Sequence, residues 1–192
     1  MRVQGKMEII NDYKLGIMWA TGTLAKGTDR YVLQTSNEEK LYFLEKLSEI
    51  NQSEIVKKER IVRGRKTPLW MVRFSDGLYS ARLRELGYDD PNIEYPDYKN
   101  QDFVSAILEL KLNPVVTRNN NLYFRVHCTK PDQWLHFAKR YLPEKPVNLC
   151  FENTYRITYT RSEIYTLATI MHNISKNKKL WSSYITMCNP YK

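Results

Sequence analysis

The stretch KLGIMWATGTL, residues Lys14 to Leu24, has a diverged copy, FVSAILELKLN, at residues Phe103 to Asn113. Both stretches are short and apolar, and both contain small side chains. These are Gly16 and Ala20 in the first stretch and Ser105 and Ala106 in the second. Small residues one turn apart allow another helix backbone to approach closely. The two stretches are therefore predicted to be partner helices at the centre of a pseudo-two-fold molecule.

The same order of elements follows each copy. Hydrophobic periodicity predicts two strands, an amphipathic helix, two more strands and a last helix. The fold class is therefore α+β, with two pseudo-symmetric αββαββα repeats packed through their first helices. The repeats are assigned to residues 8–88 and 101–176, with a linker at 89–100 and a basic tail at 177–192. Gly22, at the end of the first helix, is expected in the left-handed conformation.

The composition favours a globular protein with a polyanionic partner. The 192 residues are 42% hydrophobic, and their formal net charge is +9. A basic balance favours nucleic acid but does not prove it. The three cysteines lie far apart and make no metal-ligand spacing with the histidines, so we expect a reducing compartment, no cofactor and no metal. We recognise no signal peptide or membrane span, and we therefore expect a cytoplasmic protein without a membrane partner.

Alternation along the predicted strands separates an apolar face from a face rich in hydrogen-bond donors. The donor-rich positions are Arg30, Gln34, Arg73, Tyr123, Arg125, His127, Arg156 and Thr158. One predicted hairpin is the most basic part of the chain and contains Lys57, Lys58, Arg60, Arg63, Arg65 and Lys66. Each of these residues alone would fit a solvated strand face. Their concentration on one side of both repeats favours ligand binding.

Over nearly its whole length the chain resembles the LAGLIDADG homing endonuclease family in its single-chain, two-repeat form. GIMWATGT, Gly16 to Thr23, resembles the family's G-L-I-D-A-D-G-S, and FVSAILELKL, Phe103 to Leu112, resembles the motif of its second repeat. RYVLQTSNEEKLYFLEKL, Arg30 to Leu47, is typical of the segment after the motif helix. The resemblance implies a β-saddle of two sheets along the major groove of duplex DNA. Strand residues would then contact bases, while the basic hairpin and Arg118 would hold phosphates.

The resemblance also implies a divalent metal bound by the last acid of each motif. This sequence departs from the family there, because the two positions hold Thr21 and Lys111. A threonine is a weak neutral ligand, and an ammonium repels a metal but pairs well with phosphate. The nearest carboxylate, Glu109, lies two residues earlier on a different face of the helix, and its counterpart is Trp19. We therefore predict an inactive catalytic centre without a metal.

The leading interpretation is a sequence-specific double-stranded DNA-binding protein on an inactive homing-endonuclease fold, present as a monomer. A transcriptional regulator or a protein of a mobile element or phage would fit it. One alternative is an active nuclease in which Glu109 and an acid such as Asp12 or Glu59 rebuild a metal site. Another is a protein-interaction module with a protein partner at Trp181, Tyr184 or the aromatic linker. Binding of structured RNA is a further alternative.

Overall fold

The computed structural model describes residues 10–36, 38, 41–51, 53–62, 64–119 and 121–164. At its centre, helix α1 (Asp12–Thr21) packs against helix α4 (Gln101–Lys111). A Cβ atom on Gly16 would lie 2.5 Å from the carbonyl oxygen of Phe103 and 2.8 Å from Cβ of Ala106. The two backbones therefore meet where the small residues lie. The predicted pair of central helices is confirmed.

Both central helices begin in the same way, at an asparagine. Asn11 Oδ1 accepts a hydrogen bond from the Lys14 N–H at 3.0 Å. Asn100 Oδ1 accepts from the N–H groups of Asp102 and Phe103 at 2.9 and 3.3 Å. These side chains satisfy donors that the first turn of a helix leaves without backbone partners. In the described part of the chain, no helix combines the length and apolar character that a membrane crossing requires.

The first sheet follows α1 and has four antiparallel strands in the order β1-β2-β4-β3. The strands are β1 (Gly22–Leu24), β2 (Arg30–Thr35), β3 (Ile55–Val62) and β4 (Arg65–Ser75). Helix α2 (Leu41–Asn51) connects β2 to β3, and its residues Phe43, Leu44 and Leu47 are buried in the core. Helix α3 (Gly77–Glu85) follows β4. The sheet thus has one face covered by helices.

The second sheet follows α4 and repeats this topology in the order β5-β6-β8-β7. The strands are β5 (Asn113–Val116), β6 (Leu122–Cys128), β7 (Asn148–Phe151) and β8 (Thr154–Thr160). Helix α5 (Pro131–Ala138) buries Trp134, whose Nε1 donates to the Tyr159 hydroxyl at 2.9 Å. The predicted two-repeat α+β architecture is confirmed. Residues 161–164 are helical, whereas the rest of the predicted last helix and the tail with Trp181 and Tyr184 lie outside the described residues.

Strand alternation in the structure agrees with the sequence pattern. In β6, Phe124, Val126 and Cys128 are buried beneath the helices, whereas Arg125 is half-buried and His127 is exposed on the opposite side. We call the side of each sheet that faces away from its helices the open face. The apolar residues of β6 therefore hold the repeat together, and the polar residues between them lie on the open face.

Gly22 does not adopt the expected left-handed conformation. Its backbone is extended, with φ −80° and ψ 157°, and the chain passes directly from α1 into β1. A Cβ atom at this position would lie 2.5 Å from the carbonyl oxygen of Met18. Glycine therefore permits a close approach of the backbone here, and a positive φ is not required.

The segment that links the two repeats is packed into the core. The ring of Tyr95 lies 5.1 Å from that of Trp134 and 5.6 Å from that of Phe137, between centroids. The carbonyl oxygen of Glu94 accepts from Trp19 Nε1 at 3.0 Å. This aromatic side chain of the linker is therefore used inside the molecule and offers little surface to a protein partner.

Candidate nucleic-acid interface

The open face of the first sheet carries Arg30, Gln34 and Arg73. Residues that pair directly in antiparallel strands share a face. Val32, which alternates with Arg30 and Gln34 along β2, pairs with Arg73 in β4. All three polar side chains are exposed there. Arg73 Nε also donates to Met71 Sδ at 3.2 Å, which orients the guanidinium along the face.

Three basic residues of the β3–β4 hairpin join this face. Lys58 pairs with Leu69, which shares the face of Arg73 by alternation along β4. Arg60 follows two residues after Lys58, and Arg65 belongs to the same alternating set of β4. Each of the three side chains is exposed. The hairpin therefore extends the basic surface outward from the middle of the sheet.

Two other basic residues of the hairpin lie on the opposite face. Lys57 pairs with Trp70, and its ammonium lies 5.7 Å from the centroid of the indole ring. Lys66 forms an ion pair with Glu59 at 3.1 Å on that same side. The sequence grouped these lysines with the open-face residues, and the structure separates them. Arg63 lies outside the described residues.

The open face of the second sheet brings together the predicted residues of β6 and β8. Arg125 pairs with Thr158, and His127 pairs with Arg156. Tyr123 alternates with Arg125 along β6 and therefore shares their face. The pairing places both guanidinium groups diagonally across two adjacent strands. This face thus repeats the polar character of the first sheet with different side chains.

Sequence reasoning missed two asparagines of this face. Asn113 pairs with Arg125, and Asn148 pairs with Arg156, so both lie on the open face, and both are exposed. Each belongs to a strand of four residues, which is too short for alternation alone to assign its faces. Arg118 is exposed in the turn between β5 and β6, beyond the paired region.

The open faces are cationic, and no acid lies on them among the described residues. The eight strands contain one acidic residue, Glu59, which lies on the covered side. The open-face cations are Arg30, Lys58, Arg60, Arg65, Arg73, Arg125 and Arg156. None of these seven forms an ion pair with any described residue. Among the described residues, no acceptor reaches the buried Nε atoms of Arg125 and Arg156, and such unmatched donors favour an anionic ligand.

The C-terminal ends of α1 and α4 lack the groups that bind a divalent cation. Thr21 Oγ1 donates to the Ile17 carbonyl at 2.8 Å within its own helix. Lys111 is half-buried, and burial lowers the pKa of its ammonium, while the nearby Glu94 carboxylate acts in the opposite direction. A hard cation needs several oxygen ligands, so these two residues do not fit one. Across the described ranges, no three His, Cys, Asp or Glu side chains are grouped to hold a metal.

Solved structures share this arrangement of helices and sheets. The K262A mutant of I-SmaMI matches 93% of this chain and 90% of its own at a TM-score of 0.62 and 9% identity. The LAGLIDADG meganuclease I-AabMI, bound to uncleaved DNA, matches 93% and 90% at a TM-score of 0.55 and 10% identity. The N-terminal LAGLIDADG domain of DUF199/WhiA matches 91% and 87% at a TM-score of 0.51 and 10% identity. The chain has the LAGLIDADG homing endonuclease fold.

The LAGLIDADG resemblance of the sequence motifs is too weak to give a match to a family model or to a curated protein. No protein-family model matches the sequence. A search of curated proteins also finds no match. At identities of 9% and 10%, the likeness to these structures shows a shared fold and does not assign a function to this chain.

The acids considered for a rebuilt metal site lie in different parts of the LAGLIDADG fold. Glu109 is 1% exposed and accepts a hydrogen bond from the Tyr13 hydroxyl at 2.7 Å, between the central helices. Asp12 is the first residue of α1, at the opposite end from Thr21, and it accepts a hydrogen bond from the Tyr98 hydroxyl at 2.7 Å. Glu59 lies in the outer strand β3. Their separation gives the nuclease alternative no shared site.

Proposed function

We propose that this chain is a sequence-specific double-stranded DNA-binding protein that uses a LAGLIDADG fold without a working nuclease centre. The observation that carries the proposal is the pair of open faces, whose described strand residues include seven Lys and Arg side chains and no acid. We call these two faces the saddle. I-SmaMI and I-AabMI, which share the fold, have been solved bound to DNA.

The position of each side chain in the saddle suggests its role. Arg73, Arg125 and Arg156 lie within paired strands, where a guanidinium on a β-ribbon can reach base edges in a major groove. Lys58 lies in the outer strand β3, and Arg118 lies in a turn, where contacts to phosphates would fix the register of the duplex. Each repeat, residues 8–88 or 101–176, would then contact one half of the target.

Selection of bound fragments from random duplex DNA would test the proposal, followed by affinity measurements on the selected sequence. The double variant Arg125→Gln, Arg156→Gln should lose roughly 1 to 3 kcal/mol per removed base contact and should discriminate less between sequences. The matched control is Lys139→Gln, Arg140→Gln, which removes the same charge next to α5, away from the saddle.

Two results would remove the DNA-binding proposal. The first is the failure of every duplex to bind better than about 10 µM at low salt, where phosphate contacts are strongest. The second is an equal loss of affinity in the saddle variant and in its control, because a contact surface must be more sensitive than the opposite side. The selected sequence would also indicate whether the protein serves as a transcriptional regulator or belongs to a mobile element or phage.

A plasmid-nicking assay addresses the nuclease centre. The purified protein should leave plasmid DNA intact in magnesium or manganese, since Thr21 and Lys111 supply no anionic ligand. Cleavage that disappears in Glu109→Gln would show that the centre is active. The Thr21→Asp, Lys111→Asp variant tests the converse, because it restores an acid at the end of each central helix.

The proposal includes a monomeric state for the protein. The central helices α1 and α4 belong to one chain and already bury their small-residue faces against each other. A second chain is therefore not needed to complete the saddle. Analytical ultracentrifugation at micromolar concentration should give the mass of one chain, and a stable dimer would contradict this part of the proposal.

A further inference from the structure

Lys111 lies at the middle of the saddle. Helix α1 continues directly into β1, and α4 passes through Leu112 into β5. Both β1 and β5 are edge strands of their sheets. Because α1 and α4 pack against each other, β1 and β5 are the edges at which the two sheets come nearest each other. The C-terminal ends of the two helices lie between these edges. Thr21 is the last residue of α1, and Lys111 is the last residue of α4.

The Lys111 ammonium has no ion pair with any described residue. Burial lowers the pKa of Lys111, and the Glu94 carboxylate acts in the opposite direction. That carboxylate already accepts hydrogen bonds from the Thr129 and Lys130 N–H groups at 2.8 and 2.6 Å. A half-buried cation without a partner has lost part of its hydration and regains stabilisation when an anion binds. On the other helix, the Thr21 hydroxyl is neutral and bonded to its own backbone.

We propose that Lys111 is a phosphate-binding residue for the centre of the bound duplex, where its ammonium neutralises charge in the place of a metal ion. This inference rests on the proposed DNA-binding function. A duplex that lies along both open faces must pass over the helix ends between them. Since Thr21 carries no charge, the contact is one-sided and reaches a central phosphate of one strand only.

A simpler reading gives Lys111 a structural role alone. A cation in the last turn of a helix interacts favourably with the helix dipole and so stabilises the helix. That reading predicts an effect on the stability of the protein and none on its affinity for DNA. The two readings therefore differ in a measurable quantity.

Salt titration of the selected duplex, with divalent cations removed by chelation, separates the readings. Lys111→Met keeps the apolar stem and removes the charge, so the affinity should fall about fivefold to tenfold at 100 mM salt, and the slope of log affinity against log salt should flatten by about one unit. Lys111→Arg should retain the wild-type slope, and Thr21→Lys should steepen it by about one unit. Lys139→Met, outside the saddle, should change neither quantity.

A second measurement uses the wild-type protein and does not depend on the folding of a variant. Neutral methylphosphonates replace the central phosphates of the duplex one at a time. One substitution, on one strand, should weaken binding of the wild-type protein about fivefold to tenfold at 100 mM salt, and the equivalent position on the other strand should have little effect. Equal effects on the two strands, or none on either, would overturn the inference.

The outcomes for Lys111 and for the proposed function are distinguishable. A wild-type protein that binds no duplex would remove both proposals. A wild-type protein that binds a duplex, together with a folded Lys111→Met variant of unchanged slope, would remove the Lys111 inference and leave DNA binding in place. Circular dichroism shows whether the Lys111→Met variant is folded, as the second case requires.

Discussion

The two central helices have equivalent backbones but unlike contacts across their interface. Tyr13 and Phe103 occupy equivalent positions, and so do Trp19 and Glu109. The Trp19 ring packs edge-on against Phe103, with ring centroids 6.2 Å apart. At the equivalent place, the Tyr13 hydroxyl donates to the buried Glu109 carboxylate at 2.7 Å. One aromatic contact and one hydrogen bond thus occupy two sites related by the pseudo-two-fold axis.

The two sheets differ in the same way. In the first, β3 and β4 form a long basic hairpin of 8 and 11 residues. In the second, β7 has 4 residues, and its Leu149 and Phe151 are 66% and 70% exposed. The two sheets share a strand order, but their side chains differ. Such differences can arise in a single chain because a substitution in one repeat does not change the other. An unequal saddle fits a target whose two halves differ in sequence.

The largest expected effect is at Gly16, whose counterpart in α4 is Ala106. An alanine at position 16 would place its Cβ 2.5 Å from the Phe103 carbonyl oxygen. Alanine favours a helix by about 1 kcal/mol over glycine, so a net loss measures the clash. We expect Gly16→Ala to lower the free energy of unfolding by about 2 to 3 kcal/mol, as measured by chemical denaturation.

Gly77→Ala is the matched control for this prediction. Gly77 begins α3, and among the described residues a Cβ atom there would meet the Asp29 carboxylate, at 3.4 Å. Because alanine also favours the helix at this position, Gly77→Ala should leave the free energy of unfolding unchanged or raise it by up to about 1 kcal/mol. If Gly16→Ala were as stable as this control, the backbones of α1 and α4 would not be in close contact at Gly16 and Ala106.

The second prediction concerns the polar side of the helix interface. Tyr13→Phe copies the residue of the other repeat but removes a donor from the buried Glu109 carboxylate. The loss should be about 1 to 2 kcal/mol in the free energy of unfolding, because a buried acceptor loses a hydrogen bond. Tyr123→Phe, on the open face, should change stability by less than about 0.5 kcal/mol. Equal values for both variants would mean that the hydrogen bond adds nothing to stability.

The central helices could be predicted from the sequence, and so could the two faces of the middle strands β2, β4, β6 and β8. Gly16 and Ala106 mark the helix contact, and the apolar residues at every second position of β6 mark its covered side. Both signals are local, because side-chain size and period are properties of a short stretch. The same period correctly assigned Arg125 and Arg156 to the open face.

Other features depend on partners that are distant in sequence. The Tyr13 and Glu109 side chains are 96 residues apart. No local pattern could pair them. Composition predicts a linker at residues 89–100, and it gives no sign that Tyr95 is buried against Trp134. The β3 strand is exposed on both sides over most of its length, so its sequence carries no apolar alternation, and the pattern could not separate Lys57 from Lys58.

The smallest expected effect tests that last distinction within one strand. Lys57 and Lys58 are adjacent, exposed and equal in charge, but Lys58 lies on the open face and Lys57 lies over the Trp70 ring on the other side. Lys58→Gln should reduce affinity for the selected duplex about fivefold at 100 mM salt and flatten the salt slope by about one unit. Lys57→Gln should leave both values close to those of the wild type.

The comparison of these two variants is informative because they share net charge, strand and distance from the hairpin tip. Long-range attraction depends on total charge and would weaken equally in both. A contact with a phosphate depends on the face, and only Lys58 shares its face with Arg73. Equal losses would therefore mean that the hairpin attracts DNA without docking on it. A larger loss in Lys57→Gln would place the duplex on the opposite side of the hairpin, against the saddle model.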